Sequence, residues 1–313
     1  MAEIFETTVA TSLPQVDENV LLNEKLKRKG KRRKLRKKIT SYVFLTLFSV
    51  VFLFPIYCLL IRSITPAEDA LKPILWPERI SGSEIANAYG AFFDPYSLWY
   101  LRNTLFICVM KVLGTCLISS MTAYALAKID FGGRNVVFTI IISTVLLPSM
   151  VTAIPLFIIY DSIGWTDSLY PLWLPIWFGG GAMNIFLVRQ FIRGIPNSLS
   201  EAAVLDGAGH FRIYCTIILP LIKPILIYLA VTTFNGAWND FEGPMNFVAN
   251  SQNSWTLSLA LYMRVQGNTS EATPLDVNQQ MAIGVIMMLP GIITFAAFQK
   301  QLMEGVVMTG LKG

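Results

Sequence analysis

Charge is scarce in this sequence. Only 14% of its 313 residues are Asp, Glu, Lys or Arg, where an ordinary soluble domain carries about 25%. A soluble chain of this size cannot clothe its surface with so few charges, so a soluble enzyme, a disordered chain and a collagen-like fibre are excluded. Histidine occurs once, at His210, and cysteine four times, at Cys58, Cys108, Cys116 and Cys215, with no C-x-x-C pair. From that set we expect no metal site and no disulfide framework. Also missing are a G-x-x-x-x-G-K-[ST] phosphate loop, an H-E-x-x-H motif and any paired acidic motif of a lipid-linked transferase. The chain is therefore expected to carry no catalytic residue and to hold no nucleotide, cofactor or metal of its own.

What is present is apolar: 54% of the residues are hydrophobic. Charge-poor intervals fall at 39–61, 103–127, 135–160, 168–188, 217–237 and 281–299, broken inside only by Lys111 and Lys223. At about 1.5 Å per residue each is long enough to cross a hydrocarbon core of roughly 30 Å. In hydrocarbon a segment must satisfy its own backbone, so these are helices. The expectation is an all-α polytopic membrane protein with six transmembrane helices. The charged lead and the apolar run after it are too long for a cleaved signal peptide. Asn268-Thr269-Ser270 fits the glycosylation sequon, a pattern short enough to be common by chance.

The net charge of +5 does not point to nucleic acid. Residues 1–38 hold 11 of the 25 Lys and Arg and carry +6, whereas residues 39–313 carry −1. A basic tail beside an apolar run reads as a cytoplasmic tail facing anionic lipid. With that tail inside, the loops alternate. Lys128 and Arg134 lie inside, Asp161 and Asp167 outside, and Arg189, Arg193 and Arg212 inside. Arg264 lies outside among Asp240, Glu242, Glu271 and Asp276. Both termini are then expected in the cytoplasm. Stretch 62–102, rich in Pro, Trp and Tyr, reads as a folded extracytoplasmic cap. Pro148, Pro155, Pro171, Pro175 and Gly179-Gly180-Gly181 fall inside spans. They fit packing irregularities or helices bent around a solute path. Lys111 lies close enough to a span end to snorkel outward, the alternative being a place in a solute path.

The most informative stretch runs from Ile195 to Pro220 and is expected in the cytoplasm. Ser198-x-x-Glu201 has the form of a capping box. Leu199, Ala202, Ala203 and Leu205 would make a short helix, and Gly207 would end it in a left-handed turn. A second short helix then leads through Pro220 into the fifth span. Such a helical hairpin of small residues, about 198–213, can insert into a cleft on another protein.

Its spacing is more specific still. Glu201-Ala202-Ala203, three residues, Gly207, nine residues, then Ile217-x-Leu219-Pro220 resembles the EAA signature of binding-protein-dependent ABC importer permeases. Asp206-Gly207-Ala208 and Pro224 resemble its carbohydrate branch and the smaller permease of maltose-type transporters. So do Ala123-Tyr124-Ala125, Leu147-Pro148, Ile154-Pro155-Leu156, Arg189-Gln190-Phe191 and Trp238-Asn239-Asp240. The ending Gly305…Lys312-Gly313 is similar to that branch's G-x-x-x-G-x-x-K-G, with the inner glycine displaced to Gly310. The likeness covers about residues 40–313 and leaves out the basic tail 1–38.

The resemblance implies a type I ABC importer permease fold in a bacterial cytoplasmic (inner) membrane. Glu201, Ala202, Ala203, Leu205, Asp206, Gly207 and Ala208 would form a coupling helix seated in a groove of an ATPase subunit, with Ala203 on the contact face one turn before Gly207. Gly305, Lys312 and Gly313 would also touch the ATPase. Asn184, Asn235, Trp238, Asn239 and Asp240 are candidates for the translocation path. The implied partners are a homologous second permease, two ATPase subunits carrying ATP and magnesium, an extracytoplasmic solute-binding protein and membrane lipid. The solute would be a sugar, oligosaccharide or polysaccharide fragment. Aromatic residues in 238–280 favour this, since their faces stack on sugar C–H faces, although core aromatics look the same. A non-sugar solute remains open. So does a secondary transporter, which would need more intramembrane ionisable residues than Lys111 and Lys223.

Overall fold

The computed structural model describes residues 18–73, 75–267 and 275–310. No strand occurs among them. The chain divides into two units, Met1–Cys58 and Leu59–Gly313.

The described part of the first unit, residues 18–58, is helix, part of α1, Glu18–Ser63. The basic stretch expected as a tail is continuous with the first span, because Lys, Arg, Leu and Glu are good helix formers. At 46 residues it extends about 69 Å, more than twice a hydrocarbon core. From Tyr42 to Phe54 its large apolar side chains are exposed.

The second unit begins with the end of α1, where Ser63 Oγ and Tyr89 OH lie 2.8 Å apart. Tyr89 belongs to α2, Gly82–Gly90, so the stretch after the first span is folded, as expected. The second span is α3, Pro95–Lys128, eight residues longer at its start than the sequence predicts. Asp94 is the reason. Its carboxylate accepts from Ser97 N at 2.7 Å and from Ser97 Oγ at 3.0 Å, and Pro95 opens the helix. Cap and proline together stabilise a helix start that hydropathy alone does not register.

Two expected spans are bent. Segment 135–160 is α4, Arg134–Leu146, and α5, Ser149–Ser162, meeting at 103°. Leu147 precedes a proline and is extended there, with φ −78° and ψ 117°, as the clash with the proline ring demands. Segment 217–237 is α8, His210–Leu221, and α9, Lys223–Trp238, meeting at 76°. Pro224 has no N–H to give the Pro220 carbonyl and its ring crowds that carbonyl, so the helix stops at Ile222. Among the described residues four helices are long and apolar enough to cross a membrane, or six if each bent pair is one span.

The span expected at 168–188 is Tyr170–Arg193, α6, interrupted at Gly180 and Gly181. Gly180 takes φ +65°, and a Cβ there would sit 3.0 Å from Ser119 N. The glycine run thus serves both a break and a close approach to α3, whose Ser119 hydroxyl donates to the Gly180 carbonyl. After α7, Asn197–Leu205, and the bent pair come α10, Glu242–Phe247, and α11, Leu257–Val265. The last helix is α12, Val277–Gly310, which extends beyond 281–299 at both ends. The sequon at Asn268 lies outside the described residues.

Two apolar cores result. One gathers Tyr100, Ile107, Trp238, Trp255, Leu259 and Ile283 at what we term the cap end. The other gathers Tyr124, Ile185, Val188, Ile192, Ile213 and Ile218 at the hairpin end. Both α3 and α9 contribute to each, so they tie the ends together. Two π-type turns occur among the described residues, at Thr115–Ser119 in α3 and Tyr214–Ile218 in α8. Ser120 Oγ and Tyr214 OH, 2.7 Å apart and buried, link the two.

Candidate functional site

The hairpin is built locally. Pro196 precedes α7 with φ −57° and ψ 138°, and the helix starts at Asn197. Ser198 is therefore already inside the first turn, and the expected capping box with Glu201 does not form. No side chain caps this helix. Proline fixes the entry conformation one residue earlier than the Ser/Glu spacing suggests. The Asn197 side chain is engaged elsewhere: Lys128 Nζ donates to Asn197 Oδ1 at 2.6 Å and to the Ile195 carbonyl at 2.7 Å. The end of α3 is thus bonded to the start of the hairpin, a role for Lys128 that its place in a short basic loop did not reveal.

The exit of α7 is set by the glycine, as expected. Gly207 has φ +81°. Ala208 N donates to the Ala203 carbonyl at 2.9 Å, and Gly207 N to the Val204 carbonyl at 2.9 Å. This pair of crossing bonds is the Schellman ending, which removes two carbonyls from the exposed helix end. Gly209 then leads into α8 at His210.

The two faces of α7 differ. Ala203 and Ala208 pack inward against the hairpin-end core. Ala203, one turn before Gly207, is thus partly covered by this chain itself. Its small side chain lets α7 lie close on its own protein. The outward surface consists of Leu199, Val204, Leu205 and Phe211, exposed at 45%, 55%, 89% and 71%. Glu201, Ala202, Asp206 and Gly207 are exposed beside them. Four large apolar side chains are thus exposed together among polar and small residues.

The translocation candidates fall in two places. Asn235, Trp238, Asn239 and Asp240 occupy the last turn of α9 and the two residues beyond it. Asn235 Nδ2 donates to Thr294 Oγ1 of α12 at 3.2 Å, and the half-buried pair joins the two helices. Trp238 is 4% exposed in this chain, lies in the cap-end core, and donates Nε1–H to the Met287 carbonyl at 2.9 Å. Asn239 is exposed. Asp240 pairs with Lys111 at 3.3 Å and accepts from Gly243 N at 3.0 Å. Lys111, near the middle of α3, thus finds a carboxylate on the stretch that follows α9. Asn184 stands apart on α6, bonded to the Gly180 carbonyl at 3.3 Å.

The cap end also holds residues that the sequence did not single out. Arg264 of α11 donates Nη1–H to Asp94 Oδ2 at 2.7 Å and to Ser97 Oγ at 3.1 Å, and its side chain is only 7% exposed. Asn103 Nδ2 donates to the Asn253 and Trp255 carbonyls at 2.8 and 3.0 Å, and Leu257 N donates to Thr104 Oγ1 at 2.8 Å. Segment 238–265 is therefore bolted onto the start of α3. Gly305 lies within α12, whereas Lys312 and Gly313 lie outside the described residues.

The family model described as "binding-protein-dependent transport system inner membrane component" matches residues 115–306. The arabinooligosaccharides transport system permease protein of Bacillus subtilis is 30% identical over 280 residues, 88% of this chain and 96% of that protein. The trehalose/maltose transport system permease protein of Thermococcus litoralis is 27% identical over 285 residues, covering 90% and 99%. Among solved structures, a chain of a bacterial ABC transporter involved in import of the acidic polysaccharide alginate superposes with a TM-score of 0.73. It is 25% identical and covers 86% of this chain and 97% of that one.

Proposed function

Since the chain belongs to the family of binding-protein-dependent transport system inner membrane components, we propose that it is the permease subunit through which an ATP-driven importer takes up an oligosaccharide or polysaccharide fragment. As a member of that family it is a multi-pass protein of the cytoplasmic membrane and a channel component rather than an enzyme. The solutes for which its relatives are named, arabinooligosaccharides, trehalose and maltose, and alginate, support a carbohydrate here.

The observation that carries the coupling role is the α7 hairpin. It is a helix closed at its C-terminal end by Gly207 and seated on its own protein by Ala203 and Ala208, with Leu199, Val204, Leu205 and Phe211 left bare. We assign that bare face to a groove on an ATPase subunit, with Glu201 and Asp206 as its polar rim. Six spans with both termini in the cytoplasm put the hairpin on the side where ATP is available. A second permease completes the channel, two ATPase subunits hold ATP and magnesium, and a soluble binding protein delivers solute at the cap end. ATP-driven closure of the ATPases moves the hairpin as a rigid body, and the spans respond by exposing the path outward. Asn235, Asn239 and Asp240, with Asn184, are our candidates for that path, and the segment after Gly305 for a second ATPase contact.

The test is reconstitution in proteoliposomes with the partner permease, ATPases and binding protein. Labelled oligosaccharide should accumulate only when ATP and binding protein are both supplied. Uptake in the absence of the ATPases would overturn the proposal. A reporter fused after Gly313 and active only outside the cell would overturn the orientation alone.

A further inference from the structure

Beside the hairpin lies a cavity of about 540 Å³ lined by Leu126, Ala127 and six polar residues, Lys128, Arg134, Arg189, Arg193, Asn135 and Asn197. Four of these six are cations. Among the described residues, the one carboxylate in contact with any of them is that of Asp130, 2.7 Å from Arg134 and itself 94% exposed. Glu201 is near enough to act on Lys128 electrostatically without touching it. Arg189 is the unusual member. It is 6% exposed, its Nε donates to the Leu126 carbonyl at 3.1 Å, and its guanidinium lies 3.8 Å from the centre of the Phe138 ring. No carboxylate contacts Arg189 or Arg193 among the described residues. A nearly buried guanidinium with cationic neighbours and no counterion is costly to hold. Its surroundings are arranged for an anion that arrives from outside this chain.

We propose that this cavity binds the phosphate of an anionic phospholipid headgroup. The level is right. Lys128 ends α3, Arg134 begins α4 and Arg193 ends α6, so the cations gather where helices leave the apolar core and headgroups lie. The chemistry is right as well. Guanidinium groups match phosphate oxygens in pairs, and the two asparagine amides can complete the oxygens' hydrogen bonds. Basic pockets between spans at the membrane surface suit phosphate headgroups in general. Lys128 also holds the start of α7 through Asn197 and Ile195. An occupied cavity therefore screens repulsion among the cations beneath the hairpin and steadies it. The inference rests on the membrane placement of the chain and not on its solute.

The experiment is native mass spectrometry of the purified full chain with phosphatidylglycerol, phosphatidylcholine or inorganic phosphate, for the parent and for Arg193→Gln and Arg189→Gln. Phosphatidylglycerol should be retained in preference to phosphatidylcholine. Arg193→Gln should weaken that retention about fivefold, as one surface cation does toward anionic lipid, without changing retention of phosphatidylcholine. Arg193 is exposed, so this variant keeps the test valid even if Arg189→Gln misfolds. Equal retention of phosphatidylglycerol by the parent and Arg193→Gln would overturn the proposal. Displacement of the lipid by millimolar inorganic phosphate would also overturn it, marking a free-anion site instead.

Discussion

The two ends of this molecule are held by different kinds of contact. At the hairpin end, α7 is shaped by neighbours in sequence: Pro196 opens it, and Gly207 and Ala208 close it through bonds spanning a few residues. Its outward face is apolar and bare. At the cap end, residues about 150 positions apart bond to one another, as Asn103 does to Asn253 and Arg264 to Asp94. Their polar groups are spent inward. One end leaves an apolar face open, and the other satisfies its polar groups within the chain.

If that contrast is right, substitutions at the two ends should fail differently. The largest loss of stability is expected from Arg264→Ala. It strands Asp94 beside a largely buried site and should cost about 3 kcal/mol, seen as an earlier thermal unfolding midpoint and protease cleavage near α11. A parent-like midpoint would mean that the cap end is not held by this pair. Gly207→Val comes next. A branched residue at φ +81° should cost about 1–2 kcal/mol locally, and uptake should fall while the protein still accumulates, with Gly207→Asn partly restoring it. Leu205→Glu should change stability by no more than about 0.5 kcal/mol, since its side chain meets only solvent in this chain. Yet it should abolish solute-stimulated ATP hydrolysis in the reconstituted complex. Unchanged coupling would sharpen the search toward Phe211 and Val204.

The smallest effect is at Asp69, in the stretch after the first span. A hydrogen bond from Lys72, at 2.6 Å, holds its carboxyl below the usual aspartate value of 3.8. The contribution is therefore fully present above that value and is lost as pH falls through the lowered one. Asp69→Asn should lower the unfolding midpoint slightly at neutral pH and match the parent at strongly acidic pH. A gap that widened on acidification would contradict the sign.

The same contrast explains what could be read from the sequence. Hydropathy located the spans, and Gly207 announced the end of α7, because both signals lie within a few residues of what they determine. Ser198 misled for a related reason: Ser-x-x-Glu is a local pattern, but Pro196 acts first. The cap end was opaque because nothing near Arg264 in sequence points to Asp94, 170 positions away. Trp238 seemed suited to a solute path because an aromatic at a span end looks the same whether it faces a sugar or fills a core. In this chain it is buried and bonded to the Met287 carbonyl. The bends were only half visible. Pro148 marked where one helix weakens, whereas Pro224 was read only for the family likeness, and the angles of 103° and 76° have no signal in the nearby sequence.

The elbow between α4 and α5 carries one more consequence. A helix that stops leaves carbonyls without donors, and one that starts leaves amides without acceptors. At Leu147 and Pro148 these loose ends fall midway along a stretch long enough to cross the bilayer. Neither α4 nor α5 buries a single residue within this chain. Hydrocarbon offers such groups nothing. A solitary copy in a bilayer should therefore draw a thread of water to the elbow and dimple the membrane around it. Assembly would then be a drying event at this point, and a water-sensitive dye placed at Met150 should report it.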